Sequence, residues 1–87
     1  MRIEVGQRHI DHGKRFYCKQ CPVALAIQEA TGDVTWWVGG KYTWRWGHPG
    51  DPVVPLSSEV IEFIQTFDRG QDVEPFAFDL VMPSEVE

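Results

Sequence analysis

The chain has 87 residues, of which 43% are hydrophobic and 24% charged, with a net charge of −5. That describes one globular domain over residues 1–87, because a single core rarely divides below roughly 100 residues. The longest apolar run, Pro22 to Ile27, is far short of the roughly 20 residues that cross a bilayer, and no apolar leader opens the chain. These features exclude a helical membrane span and point to the cytoplasm.

The charge is unevenly divided. Residues 1 to 50 hold seven Lys or Arg against four Asp or Glu, and residues 51 to 87 hold one against nine. The acidic half argues against nonspecific DNA binding.

Taken in chain order, Arg2 to Val5 alternates polar and apolar residues, the period of a strand with Ile3 and Val5 inward. Gln7 to His12 predicts one helical turn ended by Gly13, followed by an irregular basic segment in which Lys14, Arg15 and Lys19 surround Phe16 and Tyr17. Pro22 suits the first position of a helix and Gly32 the left-handed residue beyond its end. Between them Val23, Ala24, Leu25, Ala26, Ile27 and Ala30 leave few polar positions, so this helix is the core that the rest must wrap.

Val34 to Val38 and Tyr42 to Trp46 flank a Gly-Gly-Lys turn and predict a β-hairpin. A three-residue turn through Lys41 pairs Val38 with Tyr42, Trp36 with Trp44 and Val34 with Trp46, giving one wholly apolar face. Trp37 is then left outside with Thr35, Thr43 and Arg45. Gly47 to Pro55, rich in Gly and Pro, reads as loop. Ser57 or Ser58 caps a second helix, with Glu59 favoured in its first turn. Val60, Phe63, Ile64 and Phe67 define its buried stripe, with Phe63 and Phe67 facing the sheet and Glu62 and Gln65 outward. Phe76, Phe78 and Leu80 predict a last strand, and residues 82–87 an acidic tail that frays. The fold expected is α+β in the order β-α-β-β-α-β, with about four mostly antiparallel strands and a Trp-rich hairpin against two helices.

His9, His12, Cys18 and Cys21 fall within thirteen residues, and two imidazoles with two thiolates would make a tetrahedral zinc site. Against this, zinc-finger histidines usually follow the cysteines, and Cys21 is equally explained as a small buried hydrophobe at a helix start. Two free thiols are therefore expected, with no cofactor, and a Cys18–Cys21 redox pair or zinc as the alternatives. A catalytic reading would use Cys21 with its pKa lowered at the helix N-terminus and His9, His12 or His48 as base, but nothing selects one such combination, and no enzyme is expected. The four tryptophans with interleaved Lys41 and Arg45 suggest a stacking platform for single-stranded nucleic acid. Burial of Trp36, Trp44 and Trp46 under the helices weighs against it. The candidate partner-binding set is thus Trp37, Arg45, Lys41 and Thr43, an exposed aromatic with polar neighbours of the kind found at protein interfaces.

Residues 9–15, His-Ile-Asp-His-Gly-Lys-Arg, the helix Cys-Pro-Val-Ala-Leu-Ala-Ile-Gln-Glu-Ala at 21–30, the stretch Pro-Leu-Ser-Ser-Glu-Val-Ile-Glu-Phe-Ile-Gln-Thr-Phe-Asp-Arg-Gly at 55–70 and the closing Val-Glu-Pro-Phe-Ala-Phe-Asp-Leu at 73–80 carry a resemblance. Together they resemble a group of small bacteriophage-encoded proteins to which no activity is attached. The resemblance implies an accessory protein in a bacterial host cytoplasm, binding a host protein or complex in host takeover or counter-defence. The alternative is a small zinc-binding module that contacts nucleic acid through its basic first half.

Overall fold

A computed structural model describes residues 1–48, 50–51 and 53–80. The elements run β1 (Arg2–Val5), α1 (Gln7–His12), α2 (Pro22–Thr31), β2 (Trp36–Val38), β3 (Tyr42–Arg45), β4 (Val54–Pro55), α3 (Ser58–Asp68) and β5 (Phe76–Asp79). The class is α+β. The strands form two small antiparallel sheets, β1–β5 and β2–β3–β4, rather than one. The tail at 82–87 lies outside the described residues.

Helix α2 begins and ends where its local chemistry directs. Pro22 stands at its first position, the Cys21 Sγ accepts from the Ala24 N–H, and Gly32 takes a left-handed φ of 70°. Val23, Ala24, Ala26 and Ile27 are fully buried and form the centre of the core, where α2 meets both β1 and β2. Ile3 and Val5 point inward from β1, opposite Phe78 and Phe76 of β5. The first sheet therefore presents one apolar face to α2.

Helix α1 is anchored by its buried histidine. The Gly6 N–H donates to His9 Nδ1 at 2.9 Å, leaving Nε2 to donate to Glu29 of α2 at 3.0 Å. That hydrogen bond, with the neighbouring Arg8 guanidinium, holds the Glu29 carboxyl below its ordinary value.

Helix α3 keeps the expected phase with a shallower burial. Val60 and Ile64 are buried and Glu62 and Gln65 exposed, as the spacing predicts. Phe63 and Phe67 are only half-buried. Phe63 packs on Phe76 at the edge of the core, ring centroids 4.5 Å apart, because the two-stranded sheet is too narrow to cover the whole stripe.

The hairpin register differs from the expected one by one residue. Trp36 pairs with Arg45, Trp37 with Trp44 and Val38 with Thr43. The turn narrows to Gly40 and Lys41, with the Gly39 N–H donating to the Tyr42 carbonyl. A one-residue slip moves every side chain of a strand to the other face. Tyr42, Trp44 and Trp46 therefore lie on the outer face with Trp37, whereas Thr43 and Arg45 turn inward. Thr43 is wholly buried, its hydroxyl donating to the Trp37 carbonyl at 2.8 Å. Arg45 stacks its guanidinium over the buried Trp36 and donates to Asp51 through Nε at 2.7 Å. The inner face has room for one indole, and Trp36, 1% exposed, fills it. Trp44 lies instead against the bare Cα of Gly39, where a Cβ would come within 3.1 Å of its ring. The segment expected to be loop up to Pro55 adds β4 beside β3, with Thr43 opposite Val54, and Pro55 is tolerated because this is an edge strand.

The unequal burial has a measurable consequence. Ile27→Ala removes a fully buried side chain and should cost about 2 to 5 kcal/mol. Phe67→Ala should cost less, despite the larger truncation, because that side chain is only partly buried. Urea denaturation of the two variants checks the order; equal or reversed costs would place Phe67 in the core.

Candidate binding surface

Two exposed features adjoin each other: the outer face of the hairpin and the loop between α1 and α2. On the hairpin, the Trp37 and Trp46 rings stack with centroids 5.0 Å apart and planes inclined by 13°. Trp46 is 62% and Tyr42 50% exposed, while Trp37 and Trp44 are half-buried. These aromatics adjoin one another on one face instead of being scattered singly, the arrangement that marks interaction surfaces.

The loop 14–20 is pinned through its main chain. The Lys14 N–H donates to the Gln20 carbonyl at 2.8 Å and closes it. The Cys18 carbonyl accepts from the Val38 N–H at 2.6 Å, the Lys19 carbonyl accepts from the Gln28 amide at 2.9 Å, and the Phe16 N–H donates to Asp68 Oδ1 at 3.2 Å. Every anchor uses backbone, so the side chains of Lys14, Arg15, Phe16, Tyr17 and Lys19 are free to be exposed, and all are. Lys19 Nζ reaches 5.9 Å from the Trp37 ring centroid and joins loop to hairpin. Lys14 lies similarly over Tyr17.

The structure treats the four residues of the expected partner set differently. Trp37 is on the outer face, as expected, and Lys41 is exposed. Thr43 and Arg45 are corrected: the slipped register buries the first and commits the second to a clamp between Asp51 and Asp33. Sequence reasoning missed Trp46 and Tyr42, because requiring all three aromatics of the second strand to face the helices overestimates what the helices can cover. It also missed the loop, whose mixed basic and aromatic composition was the available signal.

Three of the four candidate zinc ligands are engaged elsewhere. His9 is held by Gly6 and Glu29, His12 donates from Nδ1 to the Arg8 carbonyl at 2.8 Å, and the Cys21 sulfur caps α2. Among the described residues, no group of three or more His, Cys, Asp or Glu side chains is placed to hold a metal ion. Cys18 is exposed and Cys21 buried, and both are free thiols.

The lowered Cys21 pKa that a catalytic reading would use is not found. Burial pushes this thiol up from 9.0 to about 11 and outweighs the hydrogen bonds from the Ala24 and Val23 backbone that favour its thiolate. Cys21 is thus protonated and shielded, unlike a nucleophile.

Comparison of the chain with protein-family models, with curated proteins and with solved structures found no match.

The two thiols should separate in reactivity. A thiol reagent should modify Cys18 rapidly in the folded protein and Cys21 only on unfolding; comparable native rates would contradict the burial. A pH dependence follows as well. Between pH 9 and 11 the unfolded chain releases the Cys21 proton while the folded protein keeps it, so stability falls as pH rises through that window. The loss approaches about 3 kcal/mol. Denaturation of the native protein against Cys21→Ala across this range isolates the effect, and parallel pH profiles would refute it.

Proposed function

We propose that this chain is a non-enzymatic binding module that docks a host protein through the outer face of its β2–β3 hairpin. The observation that carries this reading is the Trp37–Trp46 stack, two large rings held nearly parallel on a sheet face, with Trp46 open to solvent and Trp37 half-buried beneath it. Tyr42 extends the apolar area, and Lys19 and Lys41 flank it with positive charge. Indole, phenol and cationic groups gathered on a rigid strand pair match the composition of interface centres, where few residues carry most of the affinity. Stacking also restrains both indoles before binding, which lowers the ordering entropy that association costs. The resemblance to small phage-encoded proteins supports a bacterial host protein as the partner. The protonated, buried Cys21 supports a non-enzymatic reading, since that thiol was the best candidate nucleophile.

A zinc-binding module built on His9, His12, Cys18 and Cys21 is the alternative. It finds less support, because each imidazole and the Cys21 sulfur already serve a local hydrogen bond. Under the preferred reading a chelator leaves the cooperative melt unchanged, whereas a structural zinc would make folding metal-dependent.

Trp46→Ala should leave the melting temperature nearly unchanged, since most of the side chain is already in water. It should weaken partner binding by about 2 kcal/mol or more. Affinity capture from bacterial lysate with native protein and with this variant, followed by titration against the captured protein, reads both quantities. Undiminished binding by Trp46→Ala and Trp37→Ala together would refute the docking face.

A further inference from the structure

We propose that Cys18 and Cys21 form a reversible dithiol site that exchanges with low-molecular-weight disulfides and closes to an intramolecular disulfide, an activity separate from the docking face assigned to the hairpin. The first pointer is the backbone. The Tyr17 carbonyl accepts from the N–H groups of both Gln20 and Cys21 at 3.0 Å, so residues 17–21 make one helical turn directly before α2. Residues three apart in such a turn have Cα atoms within about 7 Å of each other, close to the span of about 4.4 to 6.8 Å that a disulfide bridges.

The second pointer is the direction of the two side chains. Cys18 and Cys21 line one small pocket of about 200 Å³, together with Val38, Gly39, Ile64 and Asp68. Spacing along the chain would have allowed the thiols to point apart; the shared pocket puts them on the same side of the turn. The third pointer is their unequal exposure. Cys18 is exposed, whereas Cys21 is 5% exposed. An outside disulfide can therefore reach only Cys18, and Cys21 needs to reach only the Cys18 sulfur. An accessible thiol beside a buried one is the arrangement of an attacking and a resolving cysteine.

The exchange balances without a cofactor. Cys18 gives its proton to water and its thiolate attacks one sulfur of the small disulfide; the new S–S bond forms as the old one breaks, and the departing thiolate takes up a proton. Cys21 then loses its own proton and attacks Cys18 Sγ, expelling the second half of the reagent as a thiol. Two electrons pass from the protein pair to the small disulfide, which leaves as two thiols. Burial, with the Asp68 carboxylate nearby, keeps the proton on Cys21 up to about pH 11, so closure is the slow step. Among the described residues, the titratable groups around that sulfur are Tyr17 and Cys18 of the turn and Asp68 of α3. The disulfide carries no charge and is not opposed by the burial that disfavours the thiolate. Closure must also tighten the turn, because Cβ atoms three apart on a helical turn stand about 5 to 6 Å apart and a disulfide holds them at about 3.5 to 4.5 Å. The turn resists this through the Cys18 carbonyl bonded to Val38 and the Lys19 carbonyl bonded to Gln28. Strained disulfides are the easily reduced ones, so the bond is exchangeable instead of structural.

Dithiobis(nitrobenzoate), an aromatic disulfide whose released thiolate is coloured, tests the site on the folded protein. The native chain should release one equivalent quickly and a second slowly, at a rate independent of reagent concentration, and end two hydrogens lighter with no adduct. The slow rate should rise about tenfold per pH unit between about pH 7 and 9, following the thiolate fraction of Cys21. Cys21→Ser, which retains a capping side chain for α2, should stop at one equivalent with a lasting adduct, and Cys18→Ser should release almost none until unfolded. Oxidised glutathione should close the same disulfide, and an excess of reduced glutathione should restore both thiols and the original melt. Trp46→Ala should exchange like the native protein, so failure of the docking face leaves this site standing and the converse. A lasting Cys18 adduct on the native chain, a second step that scales with reagent concentration, disulfides between chains as the oxidised product, or a disulfide that resists reduced glutathione would each overturn the proposal.

Discussion

The Gln28 side-chain amide holds together the parts of this protein that face its surroundings. Its Nε2 donates to the Lys19 carbonyl at 2.9 Å and to the Trp36 carbonyl at 3.0 Å, so one residue of α2 binds both the basic loop and the strand that carries the hairpin. The Val38 N–H completes the junction by donating to the Cys18 carbonyl. Without these bonds the outer edge of β2 would expose unpaired backbone, a liability in any sheet. The loop uses that edge as its support. A helix that looks wholly devoted to the apolar core therefore also sets the geometry of both exposed surfaces.

The core that makes this possible is small and shared. Neither sheet is wide enough to stand alone, and two-stranded ribbons in particular are marginal in water. Each gains its buried face from α2, with Ile3 and Val5 on one side and Trp36 and Val38 on the other, closed by Val60 and Ile64 of α3. Half-burial of Phe63 and Phe67 follows from the same shortage of cover. In a domain of this size the apolar residues outnumber the positions the core can enclose, and the surplus aromatics define the surface.

Electrostatics sorts that surface. In the first half of the chain most acids are held by arginines or by the buried His9, while the loop and turn lysines form no ion pair among the described residues. Glu59, Glu62, Asp72 and Glu74 lie together about the outer side of α3 and its exit. The uneven distribution of charge along the chain thus becomes a spatial one, which net charge alone conceals.

What the sequence by itself determined were features governed by neighbours along the chain. Pro22 and Gly32 bound α2, Val60 and Ile64 set the phase of α3, and the alternation of Ile3 and Val5 places β1, because capping and periodicity are local physics. The class and the order of the main elements follow from these. The hairpin register was not legible in the same way. Both candidate faces are rich in apolar residues, and the choice between them depends on how much area the helices cover and on the third strand, β4, which pairs Thr43 with Val54. The shape of loop 14–20 was hidden for a related reason. Its anchors, Gln28, Val38 and Asp68, lie up to 52 residues away from the groups they hold. Only folding brings them together, and only then do Phe16, Tyr17 and the basic side chains of the loop become one surface.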